Sequence, residues 1–204
     1  MRENGLYPEV KKKYRPNYSR KGDGRYKVNL INQNFKTSES KEVWVSDITY
    51  IKTTIGWVYL AVVMDLYNRE VVGYSVSKKI DTELAKAALS NAVVRFGTRE
   101  GLIVHTDRGS QYASKGFEKM LEEYGMIGSM SRGGCPYDNS CIESFFATMK
   151  KERIYRREYE SIEDVKRDVF DYIEMFYNRR RLHSVLGYMS PVEYRLKYDV
   201  QNIA

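Results

Sequence analysis

Three acidic residues, Asp47, Asp107 and Glu143, stand where their types and spacing could support phosphodiester chemistry. Cutting or joining a phosphodiester with metal ions needs carboxylates that converge on one spot. Hard divalent cations such as Mg²⁺ take oxygen ligands and are held by a few carboxylates together with substrate oxygens. Asp47 lies within Val43-Trp44-Val45-Ser46-Asp47-Ile48-Thr49-Tyr50-Ile51, on the pleat face shared by Val43, Val45, Thr49 and Ile51. A charge there costs free energy unless it is compensated. Asp107 ends the run Leu102-Ile103-Val104-His105-Thr106-Asp107, at the strand tip where open α/β sheets place their ligand sites. Glu143 falls one turn into a helix that follows a glycine-bearing loop, and at about 100° per residue it shares a stripe with Ala147 and Lys150. Taken singly, each acid also has a bland reading: a turn or helix cap for Asp107, helix surface for Glu143, an ion pair for Asp47.

The elements that must position these acids can be read from periodicity. Three segments rich in β-branched and aromatic residues, 43–52, 57–66 and 70–78, are separated by connections of hairpin length, which predicts an antiparallel meander. Asp81 can cap a helix whose apolar positions Leu84, Ala88, Ala92, Val93 and Phe96 recur every three to four residues before Gly97. A short buried strand at 102–105, a helix at 114–124 and a strand at 126–130 complete the order βββαβαβ. The segment 132–139 reads as a loop. A helix from about Ser140 to Ile154 turns Ile142, Phe145, Phe146 and Met149 inward. The last long helix starts at Ser161, where Ser161 and Asp164 match a capping box, and is expected to bury Ile162, Val165, Val169, Tyr172 and Phe176. Ser190-Pro191 can start a short helix through Tyr198.

Bulk composition narrows the partners. The 204 residues suffice for one good core. The net charge is +7, and residues 1–40 alone carry a surplus of six, in runs such as Lys11-Lys12-Lys13, so the basic excess belongs to an N-terminal arm without periodicity. Such an arm suits either solvent or a phosphate backbone. Two cysteines and two histidines, widely scattered, predict no structural zinc. The longest apolar stretch, near Val58 to Met64, is far short of the roughly 20 residues that span a bilayer. A cytoplasmic protein without a membrane partner is expected, nucleoid-associated when bound to DNA.

Three strings, 44–51 (WVSDITYI), 105–112 (HTDRGSQY) and 138–146 (DNSCIESFF), strongly resemble the integrase core of bacterial insertion-sequence transposases of the OrfB type, within the retroviral-integrase superfamily. Thirty-five residues separate Asp107 from Glu143, the spacing of that family's D,D(35)E signature, and Lys150 stands seven after the Glu, where the family carries a basic residue. The run from Tyr177 to Pro191 also looks like that family's tail.

The resemblance implies an α/β, ribonuclease H-like fold: a mixed five-stranded sheet flanked by helices, with a C-terminal helical extension. It divides the chain into a basic flexible arm at 1–40, a possible remnant of a helix-turn-helix region, a catalytic core at 41–160 and C-terminal helices at 161–204 that complete it. Asp47, Asp107 and Glu143 become ligands of two Mg²⁺ ions, with Mn²⁺ as substitute, that cut DNA strands and transfer a 3′-OH. Lys150, Lys151, Arg132, Arg108 and Lys11, Lys12 and Lys13 become DNA contacts, and loop 132–139 a flap. Lys150 also reads as a solvated helix lysine, and the loop glycines as turn residues. The implied partners are element ends and target DNA, further copies of the chain on DNA, and a full-length transposase or upstream-frame product. Two other functions share the features: a shortened, non-catalytic DNA-binding regulator of a full-length transposase, and a ribonuclease H-type nuclease. His105 reads as a packing or hydrogen-bonding residue, and Asp65 and Asp138 as turn or capping acids.

Overall fold

The computed structural model describes residues 26–198. The first three strands are β1 (Val43–Thr53), β2 (Gly56–Asp65) and β3 (Val71–Ser77). Helix α1 (Thr82–Phe96), strand β4 (Ile103–Thr106), helix α2 (Lys115–Glu123) and strand β5 (Ile127–Met130) follow, in the expected order. The sheet order is β3-β2-β1-β4-β5. The meander pairs antiparallel, whereas β4 joins β1, and β5 joins β4, in parallel. Asp81 caps α1 through the Leu84 amide, Gly97 ends it at φ 70°, and Ser114 caps α2.

Alternation along the strands divides the core in two. Odd residues of β1 (Val43, Val45, Ile51) and even residues of β2 (Val58, Leu60, Val62, Met64) pack on one side against Ile142, Phe145, Phe146 and Met149 of helix α3 (Ser140–Glu152). Trp44, Ala61 and Val63 face the other side, against α1 and α2. Asp47 therefore faces the α3 side.

The long C-terminal helix differs from expectation in register. The capping box of Ser161 and Asp164 is present, and helix α4 (Ile162–Phe170) begins as read, but from Asp171 to Tyr177 the chain continues as a π-helix. The bond from the Asn178 amide to the Ile173 carbonyl, 2.9 Å, spans five residues. The wider turn rotates the buried face, so that Ile173 and Tyr177 are buried while Phe176 stays exposed, correcting its expected core position. Its C-terminal end is latched to the edge strand. The Asn178 side chain accepts from the Val71 amide (2.9 Å) and donates to the Val71 carbonyl (3.0 Å), as a neighbouring strand would. Buried Glu70 receives Arg195 of helix α5 (Pro191–Tyr198) at 2.8 Å.

Residues 26–40 form no regular element, as their lack of period suggests, yet they pack on the domain. Ile31 is buried in the α3-side core, the Leu30 amide donates to Ser129, and Lys27 pairs with Glu118. The basic triplet Lys11, Lys12 and Lys13 lies outside the described residues.

Gly73 in β3 marks the closest approach of helix and sheet. A Cβ there would stand 2.4 Å from the Ala88 carbonyl oxygen and 2.6 Å from the Ala92 amide nitrogen of α1. Backbone atoms cannot move aside cheaply, so Gly73→Ala is expected to destabilise the fold by about 1–3 kcal/mol in denaturant titration. An unchanged midpoint would show that α1 can slide on the sheet.

Candidate active site

The parallel register fixes the first two acids. Val43, Trp44, Val45 and Ser46 pair with Ile103, Val104, His105 and Thr106, so the next residue of each strand is an aspartate, Asp47 and Asp107. Each turns one oxygen back onto its own chain: Asp47 Oδ1 accepts from the Ile48 amide (2.7 Å) and Asp107 Oδ1 from the Gly109 amide (2.8 Å). Their second oxygens have no hydrogen-bond partner among the described residues. A Cβ on Gly109 would lie 2.6 Å from Gln111 Oε1 and 2.9 Å from Asp107 Oδ1, so a side chain there would displace both groups. The residues between are braced by Tyr112, buried, whose hydroxyl meets Ser46 Oγ at 2.9 Å.

Glu143 reaches the same region from the first turn of α3. Its side chain is exposed and makes no hydrogen bond among the described residues. Lys150, two turns on, lies with Nζ 4.3 Å from the centroid of the Tyr50 ring and feels the charge of Asp47.

The electrostatics are those of crowded carboxylates. Burial is the first cause that pushes Asp47 up to about 7, with Asp107 next and Glu143 adding to it, while the Ile48 amide and Lys150 oppose it. Asp107 is raised by burial, partly offset by the Gly109 amide, and Glu143 by burial and then by Asp107. Lys150 is a cation that eases the charge of Asp47, and burial lowers its own pKa. Among the described residues, no three His, Cys, Asp or Glu side chains stand close enough to enclose a single ion. The arrangement is therefore two adjacent aspartates facing an unbonded, rotatable glutamate. Oxygen donors short of counter-charge are the donor set that hard divalent cations take.

The other expected DNA contacts are placed variously. Arg132 is tied back to buried Asp138, its amide at 2.8 Å, Nε at 3.0 Å and Nη2 at 2.9 Å from the carboxylate. Asp138 also accepts from Asn29 (2.8 Å) and Gln33 (3.0 Å), and this ring of donors, Arg132 foremost, holds its pKa well below the usual carboxylate range. Arg108 donates through Nε to the Ser131 carbonyl and lies over the Tyr26 ring, whereas Lys151 is exposed. Loop 132–139 ends in a short 3₁₀ turn, Pro136–Asn139, that leads into α3.

His105 is buried between Ser129 Oγ (2.8 Å) and Ser131 Oγ (3.1 Å), and burial lowers its pKa to about 4, so it joins β4 to β5 as a neutral ring. Asp65 is structural too, accepting from the Lys41 and Tyr67 amides, Ser40 and Trp44. The roles of Gly109, Tyr112 and Asn139 were not anticipated from residue type. The Oδ1 of Asn139 is buried without a partner among the described residues. Gly109 and Tyr112 stand within the string around Asp107, and Asn139 next to the start of α3, which was the available signal.

Because the folded-state pKa of Asp47 lies above its unfolded value near 3.9, folding favours the protonated carboxyl. Its contribution is full below about pH 4 and is lost as pH rises through about 7. In chelator, Asp47→Asn is expected to match the parent in acid and to exceed it by about 4 kcal/mol near pH 8. Parallel melting profiles from pH 4 to 8 would contradict this.

The chain matches two family models, each described as an integrase core domain, over residues 37–136 and 143–198. It is 41% identical over 195 residues to the transposase for insertion sequence element IS904 of Lactococcus lactis, covering 96% of this chain and 77% of that protein. It is 42% identical over 197 residues to transposase InsF for insertion sequence IS3A of Escherichia coli, covering 97% and 68%. Among solved structures, the catalytic core domain of BIV integrase matches with TM-score 0.59 at 16% identity, over 80% of this chain and 99% of that one. The HTLV-2 integrase catalytic core domain in complex with magnesium matches with TM-score 0.58 at 16% identity, over 76% and 95%. The likeness confirms the ribonuclease H-like fold, and with relatives this similar over this much of their length the chain belongs to the insertion-sequence transposases and carries their catalytic integrase core.

Proposed function

We propose that Asp47, Asp107 and Glu143 are the catalytic residues of this transposase and hold two Mg²⁺ ions, with Mn²⁺ as substitute, during cleavage at the element's ends and transfer of the freed 3′-OH. The observation that carries this is the approach of three carboxylates from separate elements, near enough for Asp107 and Glu143 to raise Asp47 and for Asp107 to raise Glu143, with little counter-charge nearby. Bound divalent ions supply charge neutralisation at the scissile phosphate and activation of the attacking hydroxyl. The protein's part is positional. The β1–β4 pairing sets the two aspartates side by side, and the Ile48 and Gly109 amides each fix one of their oxygens. Glu143, unbonded on the first turn of α3, has the freedom to swing towards them. Neutral His105 takes no proton-transfer role.

Lys150 and Lys151 on α3, together with Arg108, are proposed to grip DNA. Arg132 serves the loop through Asp138 and keeps a partly exposed guanidinium for DNA. Lys11, Lys12 and Lys13 are proposed to follow the phosphate backbone, in a chain acting as an oligomer on DNA and able to associate with a full-length transposase. The HTLV-2 core with magnesium has been solved in trimeric and dimeric forms, a precedent for association of this fold.

The test is strand transfer by the full chain on element-end oligonucleotides. Glu143→Gln keeps shape and removes the charge, and it is expected to lower the rate by about a hundredfold or more, since changes merely behind a metal ligand already cost about 10–100-fold. Joining at the parental rate would reject the assignment. Adding Mg²⁺ or Mn²⁺ after chelator should raise the melting temperature of the parent and not of Glu143→Gln.

A further inference from the structure

We propose that the free half of β1 carries a stacking site for an unpaired DNA base, formed by Trp57, Tyr50 and Tyr155 beside the catalytic acids. The inference rests on the transposase reading and extends it to how a strand is held once it leaves the duplex.

Strand β4 is four residues long and covers β1 only from Val43 to Ser46. From Asp47 to Thr53 the β4-side edge of β1 has no strand beside it among the described residues. A groove of about 460 Å³ opens there, between the β1–β2 hairpin and the segment after α3. Pockets that hold small organic groups run about 300–1,000 Å³. Its walls are tied together, since the Thr54 amide donates to the Tyr159 carbonyl at 2.9 Å.

The lining is unusual for a surface. Trp57 and Tyr50 meet edge to face, ring centroids 5.2 Å apart, and both are exposed, as is Tyr155 on the opposite wall. Lys52, Lys150 and Arg157 add positive charge against the single acid Glu158. Arg157 is itself engaged with Asp168 at 2.7 Å, so Lys52 and Lys150 supply most of the attraction. Exposed aromatic faces with cations between them are how proteins hold single strands, because an unpaired base offers the π-face that a duplex hides.

Continuity with the catalytic acids argues for DNA as the occupant. Lys150 bridges the two regions, with its ammonium over Tyr50 and its charge felt at Asp47. Tyr50 follows Asp47 by three residues, about 10 Å along an extended strand.

The two tryptophans make the test direct. Trp44 is 0% exposed and Trp57 51% exposed, so added quencher or DNA acts on Trp57. The full chain with Mg²⁺ is titrated with an element-end duplex bearing a short thymidine extension and with the blunt duplex. The extension should quench Trp57 and bind more tightly than the blunt end, and Trp57→Ala and Tyr155→Ala should each weaken it about tenfold. Binding of the blunt duplex should be unchanged in both variants. Equal quenching by both duplexes, equal binding of the extension by parent and folded variants, or equal weakening on both duplexes would overturn the site. If Trp57-dependent binding is found without strand transfer by the parent, the catalytic reading fails and the stacking site stands. If strand transfer proceeds and neither variant alters extension binding, the reverse holds.

Discussion

The parallel pairing of β1 with β4 is the constraint on which the site depends. Four ladder positions carry the chain to Ser46 and Thr106 and then release two aspartates side by side. Like charges so placed, partly withdrawn from water, resist ionisation together. Asp47 and Asp107 answer by raised pKa values and by borrowing one backbone amide each. The crowding is a local cost to the fold, and packing elsewhere must offset it. The small-residue contact of Gly73 with Ala88 and Ala92, and the aromatic and aliphatic face of α3, are the dense parts of the molecule that do so.

Buried polar groups outside the site follow a different rule. Asn178, Glu70, Asp168 and Asp65 all sit inside the structure with their hydrogen-bonding capacity met by amides, guanidiniums or hydroxyls. Glu174 is paired with Arg95 through Nη2 at 2.6 Å. These links join α1, α3, the π-helix and α5 to β3 and to one another, so the C-terminal helices are part of the same packed body as the sheet. Against that background the unbonded oxygens of Asp47, Asp107 and Glu143 stand out. Satisfied buried acids stabilise shape, and the unsatisfied ones are left for a ligand.

Much of this was legible from residues. Alternation placed the meander and the face of Asp47, caps at Asp81, Ser114 and Ser161 marked helix starts, and the 35-residue interval matched Asp107 with Glu143. The failures have physical causes. A π-helical turn is a tertiary choice that lets Ile173 and Tyr177 enter the core, and a 3.6 period cannot foresee it, so Phe176 was misplaced. Residues 26–40 lack period because they pack through single long-range contacts, Ile31 in the core and Leu30 on Ser129, that leave no pattern in the sequence. The pairing of Arg132 with Asp138 was likewise not legible, because residue type shows charge and not the partner folded against it.

That partner, Asp138, bears on the catalytic geometry through its place five residues before Glu143. Asn29, Gln33 and Arg132 converge on its carboxylate, so the segment leading into α3 is held by the stretch of chain that precedes the first strand. The same donors keep Asp138 ionised far below the range in which Asp47 takes up its proton. The two acids are therefore separated in titration: the loop staple at Asp138 stays charged in the range where the Asp47 carboxyl changes its protonation. Were Asp138 to protonate in the same range, binding a metal ion and loosening the loop would be the same event. Because it does not, Glu143 can rotate towards the aspartates on a helix whose starting point stays fixed.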